Sequence, residues 1–337
     1  MTRDLKFGIF DHLDRARLGI AELFDQRLKI AELYDRLGFY SYHLAEHHST
    51  PLGMAPSPSV FLSAIAQRTK TLRLGPMVYL LPLYHPIRLS EEIAMLDHLS
   101  HGRLDIGLGR GRSPIELMLY GRNVDEAQAV FDEALDVLRL AFREQRITYS
   151  GKHFSYRNVP VELHPWQKPN PPLWYGVGTP DSAAIVARQG FHGVTLARPD
   201  VAAAIVKSFN AAAADAGFAN PMMGICRFVV AADTDAEAWA LADRAYPIWH
   251  ESFFELFRRY DQKPMQTWPG EFGKMVELGL AFAGSPATLA RTIGDQIRQT
   301  GANYMVGQYV FGDMTLAESA KSITLFAEKV APALRQA

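Results

Sequence analysis

Short apolar runs recur along this chain, and between them lie longer segments whose apolar residues return every three or four positions. The first run, Leu5–Phe10, reads as a buried strand. From Ala21 to Leu37 the spacing turns helical, with Phe24, Leu28 and Ala31 beside Ile30, Leu33 and Tyr34. Gly38 stands where a helix C-terminal cap belongs. The same pair of patterns then repeats. Tyr40–Leu44 is a short aromatic strand, and Ser57-Pro58 is an N-cap with proline at the first helical position, opening a helix to about Arg68. Leu72–Leu81 is apolar nearly throughout, as a parallel strand covered on both faces would be, and Pro86–Leu99 is helical. The fourth strand lies in Gly102–Arg112, GRLDIGLGRGR, with a helix start at Ser113-Pro114 after it. Val124–Phe142 is a long amphipathic helix.

Further along, Pro172–Val177 is the fifth strand, and Thr179-Pro180 opens a helix ending near Gly190. Gly193–Leu196 is the sixth strand, with an alanine-rich helix from about Asp200. Gly224–Ala232 is the seventh, followed by a capping box at Thr234 and Glu237. Ser285-Pro286 opens a helix to about Gln299. Asn303–Phe311 is the eighth strand, and Thr315 with Glu318 caps the last helix. Two stretches break the alternation: an inserted hairpin and loop near 147–170, and an irregular aromatic excursion near 252–280. Eight strands alternating with helices predict a parallel sheet. Eight repeats within roughly 300 residues favour closure, so the expected fold is α/β, a (β/α)8 TIM barrel with insertions. No linker divides the chain, which predicts a single domain over 1–337.

Composition sharpens this reading. Apolar residues make up 48% of the 337, enough for one large core. Lys and Arg number 35 against 36 Asp and Glu, a net charge of −1, so there is no basic field to draw nucleic acid. Cys226 is the only cysteine, which excludes an internal disulfide and a cysteine metal cage. The start of the sequence lacks the shape of a signal peptide, and no apolar run approaches the roughly 20 residues that span a bilayer. A cytoplasmic protein is the expectation.

In a barrel the functional residues belong to loops at the C-terminal strand ends. Gly109-Arg110-Gly111 lies at the fourth. Arg110 offers a planar, permanent cation suited to phosphate, and the glycines let backbone approach a ligand. At the fifth, Gly178 exposes backbone while Thr179 and Ser182 place hydroxyls at a helix mouth, where the macrodipole favours an anion. Thr179 capping its own helix is compatible with that role. A phosphate site here, instead of after strands seven and eight, argues against a generic phosphosugar enzyme. Glu46-His47-His48 follows the second strand. No third ligand of metal spacing stands nearby, so no metal is expected. His47 fits a general base or hydrogen-bond donor beside a substrate. His12, His43, His85 and His101 are assigned structural or rim positions. Met54, Met77, Met118, Trp174 and Phe311 would line an apolar cavity if they face inward, with core packing the plainer reading of each. The loop Pro51–Pro58 and the insertion between strands four and five are candidates for a cover.

Four segments carry a resemblance: LAEHH at 44–48, LLPLYHPIRLSEEIAMLDHLSHGRLDIGLGRG at 80–111, PPLWYGVGTPDSAAIVARQG at 171–190 and GSPATLARTIGDQIRQTGANYM at 284–305. Together they resemble the bacterial luciferase-like flavin monooxygenases over nearly the whole chain. The resemblance implies reduced FMN and O2 as co-substrates, a homodimer, and a separate NAD(P)H-dependent flavin reductase, while the apolar, aromatic-rich rim residues suggest a small, hydrophobic organic substrate. It implies that Arg110, Val177, Gly178, Thr179 and Ser182 hold FMN. The Met77-Val78 peptide matches the place where the family carries a cis non-proline bond against the flavin ring, and His47 matches the histidine near the reacting edge. Two departures stand out. The luciferase α-subunit has a cysteine where Gly109 stands, and an acidic residue where Gly178 stands, so light emission is not implied. A deazaflavin-dependent hydride-transfer enzyme on the same barrel, or a flavin-binding subunit without activity, are the alternatives.

Overall fold

The computed structural model describes residues 5–16, 18–264 and 267–336. Residues 1–4 of the predicted domain, and Met265 and Gln266 of the predicted excursion, lie outside them. Among the described residues there are twelve strands: β1 (Lys6–Asp11), β2 (Ser41–Leu44), β3 (Arg73–Pro76), β4 (Tyr79–Leu80), β5 (Ile106–Gly109), β6 (Arg146–Ser150), β7 (Ser155–Pro160), β8 (Leu173–Gly176), β9 (Phe191–Thr195), β10 (Met223–Ala231), β11 (Ala281–Gly284) and β12 (Tyr304–Gln308). The helices are α1 (Ile20–Arg36), α2 (Pro58–Arg68), α3 (Pro86–Leu99), α4 (Pro114–Leu119), α5 (Ala127–Arg143), α6 (Pro180–Arg188), α7 (Pro199–Asp215), α8 (Asp235–Arg259), α9 (Phe272–Glu277), α10 (Pro286–Thr300), α11 (Leu316–Leu325) and α12 (Ala331–Gln336).

The barrel strands pair in the order β3-β2-β1-β12-β10-β9-β8-β5-β4, and the ladders between them are parallel. β3 and β4 are two halves of the third predicted strand, parted at a cis Met77-Val78 peptide. β3 meets the segment leading into β5 through a Leu74–Leu104 bridge, β4 meets β5 with Tyr79 opposite Leu108, and this closes the ring. Its strands are apolar on both faces because helices cover the outside and side chains fill the inside. Among the described residues no helix is long and apolar enough to cross a membrane.

Three helix starts obey the caps read from sequence, whereas Ser57 stands at the start of α2 without a side-chain capping bond. Thr179, Thr234 and Thr315 each form a reciprocal capping box with the residue three positions on. The predicted insertion contains a two-stranded antiparallel hairpin, β6-β7. Its turn is tied to α5, where the Glu133 carboxylate accepts backbone N–H bonds from Lys152, His153 and Phe154.

The irregular excursion is a correction. From Ser252 the chain continues in α8, which runs unbroken for 25 residues through Pro247. The aromatic residues that looked disordered in pattern are the helix's packing face. Trp249 meets Phe228 edge-on at 4.7 Å and stacks on Trp268 at 5.4 Å. β11 is a strand the pattern did not predict. It pairs with the second half of β10 (Phe228 with Ala281, Ala231 with Gly284), beyond the part of β10 that pairs with β9.

Candidate active site

A cavity of about 550 Å³ opens at the C-terminal ends of the strands. It is bordered by the ends of β1, β2, β5 and β8, by the cis peptide between β3 and β4, and by α8 with Trp268. Arg110, Gly178, Thr179, Ser182, Met77, Val78 and His47 all line it. Residues drawn from four separate stretches of sequence therefore share one space. Val177 does not. Its side chain is 4% exposed and packs in the barrel core, because strand alternation turns it away from the neighbours Gly176 and Gly178. Of the five proposed apolar lining residues, Met77 alone is in the cavity wall. Trp174 and Phe311 are buried in the core, and Met118 is 48% exposed. The cover also differs from expectation. Phe253, Leu256 and Phe257 of α8, with Pro264 and Trp268, form it together with Leu52 of the predicted loop, and the β6-β7 hairpin contributes no lining residue.

At one end of the cavity the surface is built for an anion. Arg110 is exposed beside Tyr175, whose hydroxyl pKa is raised by burial and drawn back by the guanidinium. Gly176 and Gly178 face open space, where a side chain would fill the approach to their backbone. Thr179 and Ser182 bind each other at the mouth of α6: the Ser182 N–H donates to Thr179 Oγ1 (3.2 Å) and the Thr179 N–H to Ser182 Oγ (3.2 Å). Gly109 is fitted to Val78. A Cβ at position 109 would collide with Val78 Cγ2, so the cysteine of the luciferase α-subunit has no room here. Volume, cation, open glycine backbone and helix mouth fit a flavin with its phosphate at this end.

At the other side of the cavity, His47 is held by a residue that sequence reasoning missed. Glu116, in the first turns of α4, places Oε1 3.2 Å from His47 Nδ1 and accepts the backbone N–H of His48 at 2.7 Å. Burial alone would lower the His47 pKa, but the Glu116 carboxylate outweighs it and the net shift is upward. In Glu116 burial is likewise overcome, and the carboxyl lies below its usual range. His48 serves a second network. Its Nε2 meets Glu46 Oε1 at 2.8 Å and its Nδ1 meets the Tyr120 hydroxyl at 2.8 Å. Glu46 also accepts from the Tyr84 hydroxyl (2.8 Å) and the Leu80 N–H (3.3 Å), tying the β2 end to β4. His12, assigned a structural or rim place from sequence, lines the cavity and stacks on His47 with ring centroids 5.6 Å apart. Among the described residues no group of three or more metal-binding side chains occurs.

Residues 5–304 match the model of the luciferase-like monooxygenases. The chain belongs to that family. It is 41% identical over 318 residues to the uncharacterized protein y4wF of Sinorhizobium fredii, covering 94% of this chain and 93% of that one. The monooxygenase RslO1 of Streptomyces bottropensis superposes with a TM-score of 0.88 at 28% identity, covering 97% of this chain and 99% of RslO1. The oxygenating constituent of 3,6-diketocamphane monooxygenase from Pseudomonas putida, a Type II Baeyer-Villiger monooxygenase solved in complex with FMN, shares the fold. Its TM-score is 0.83 at 23% identity, with 98% of each chain covered. The luciferase-like barrel read from sequence is thus the fold that this family member adopts.

Proposed function

We propose that this luciferase-like family member is an FMN-dependent monooxygenase that uses reduced FMN and O2 to oxygenate a small, hydrophobic organic molecule. One observation carries this reading: Arg110 and the mouth of α6 open into the same cavity as the His47–Glu116 pair. The FMN complex of the structurally similar diketocamphane enzyme supports the choice of flavin. Arg110, Gly178, Thr179 and Ser182 would hold the phosphate, and Met77 and Val78 would bear on the ring system. When bound, reduced flavin supplies the electrons that activate oxygen. The chain's own residues do the rest. Glu116 accepts from His47 Nδ1–H, and its charge holds the second ring proton at pH values where a free imidazole has lost it, so His47 Nε2–H can donate a hydrogen bond into the cavity. The apolar cover of α8 and Trp268 would limit the access of water to that space. A separate NAD(P)H-dependent flavin reductase would supply the reduced flavin, and a homodimer is the assembly proposed.

The test is oxygen uptake by purified protein given chemically reduced FMN and, in parallel, reduced deazaflavin with an oxidised carbonyl acceptor. Oxygen consumption that is altered by protein with FMN, together with no deazaflavin oxidation, is the expected result. Deazaflavin turnover without any effect on FMN would overturn the assignment.

A further inference from the structure

Away from the phosphate end, one wall of the cavity carries no charged side chain. Phe253, Leu256, Phe257 and Trp268 form it, with Leu52 and Leu196. Its rings are nearly coplanar in stack: Phe253 lies 5.3 Å from Trp268 at 8°, and Trp268 lies 5.4 Å from Trp249 at 24°. Such a stack is rigid, and it favours another flat ring over a flexible chain, since ring faces pair by quadrupole as well as by area.

His12 is the imidazole that borders this wall, with Thr50 also in the lining and the Trp268 indole N–H unpartnered within it. His12 is 5% exposed and lines the cavity one residue past β1. Its ring is held in place by the edge of Phe10 (4.8 Å), by Trp249 (5.4 Å) and by the stacked His47. Behind it stands Gln308, buried at the end of β12. The Gln308 amide nitrogen points to Cys226 Sγ (4.0 Å), which leaves its carbonyl oxygen as the group that favours a proton on the His12 ring. An imidazole whose proton is fixed on one nitrogen by such a partner presents the other as a bare acceptor. Burial, with His47 and Arg27 nearby, keeps the ring in its neutral form. None of the residues that shift His12 is a carboxylate favouring its charged form.

We propose that the substrate is a flat, uncharged aromatic molecule bearing a hydroxyl group, its ring against Phe253 and Trp268 and its O–H donating to the free nitrogen of His12. This rests on the oxygenation reading above and names the substrate class of that same site. His12 touches the substrate and determines specificity, whereas Gln308 and Cys226 act through it as positioning residues. A buried acceptor that an analogue cannot pair is left bare, which is why a site of this kind rejects the analogue.

Calorimetric titration of the flavin-free, full-length protein tests the proposal with four probes: 1-naphthol, 1-methoxynaphthalene, decahydro-1-naphthol and 1-naphthoate. The expected result is 1-naphthol binding about tenfold tighter than each of the others. In His12→Phe, which keeps a ring in the stack, 1-naphthol and 1-methoxynaphthalene should bind within about twofold of each other, the acceptor being gone. Nitrogen NMR of the wild-type imidazoles gives a second measurement that needs no variant: one protonated and one bare His12 nitrogen, the bare resonance moving as 1-naphthol is added. Equal binding of the methoxy or saturated probe, no binding of any probe, or an unmoved His12 resonance overturns the proposal. FMN titration of the same sample is read separately, so loss of flavin binding strikes the flavin reading and a failed naphthol titration strikes only this one.

Discussion

Truncating Arg110 to alanine isolates the flavin-phosphate contact, because riboflavin offers the same ring without the phosphate. A charge-assisted hydrogen bond to an anion is worth about 1.5–3 kcal/mol. Arg110 is exposed at the cavity mouth, where water and salt weaken the attraction, so the lower half of that range applies. A loss of about 2 kcal/mol corresponds to roughly a 30-fold rise in the FMN dissociation constant. Riboflavin, which lacks the anion, should change by less than about twofold under the same reasoning. The remaining attraction comes from the mouth of α6, where Thr179 and Ser182 are untouched. Fluorescence-quenching titrations of wild type and Arg110→Ala with both flavins read these numbers directly. Raising salt from about 0.1 to about 1 M shortens the screening length from about 10 to about 3 Å, so the wild-type advantage for FMN should shrink. An FMN constant unchanged in the variant, or an equal loss for FMN and riboflavin, would refute the phosphate assignment.

Glu116→Gln removes the charge that outweighs burial at His47, so the imidazole should titrate at lower pH than in wild type, as followed by its ring-proton NMR signal. The sign for stability follows: a raised histidine pKa stabilises the fold below the ordinary imidazole value and loses that contribution as pH rises through the folded value, and the variant loses it throughout. Glu46→Ala would strand His48, the Tyr84 hydroxyl and the Leu80 N–H in a buried position, and should cost about 3–5 kcal/mol in denaturant unfolding; a cost under about 1 kcal/mol would mean that this network is not structural. Gly109→Cys should cost about 1–3 kcal/mol through the collision with Val78, and Val78→Ala in the same chain should recover most of it. Thermal melting that shows no loss, or a loss unrelieved by Val78→Ala, would argue that the backbone shifts freely at this strand end.

What the sequence disclosed and what it hid divide along one physical line. Arg110, Gly178, Thr179 and Ser182 could be placed together because each sits at the C-terminal end of a strand, and barrel closure turns that linear position into proximity. The caps were legible for a similar reason: a threonine and a residue three positions on satisfy backbone groups within a single turn. Glu116 gave no such signal. In α4 it reads as an ordinary acidic residue in a first helical turn, and its partner His47 is 69 positions away. The continuation of α8 past Ser252 gave no clear signal either, since its clustered aromatic residues blur the apolar spacing, and only the packing of Trp249 and Phe253 on Trp268 shows the helix face they form. His12 was set aside because one residue past β1 is also where a rim side chain would stand, and what separates it from the rim is the ring of Trp249 arriving from α8. The residues found were those the backbone positions. Those missed are positioned by side chains from elements far away in sequence, and in this barrel they line the part of the cavity away from Arg110. Sequence motifs in such a family therefore report the cofactor end first, and variation in α8 and in the segment around Trp268 is where differences in substrate should concentrate.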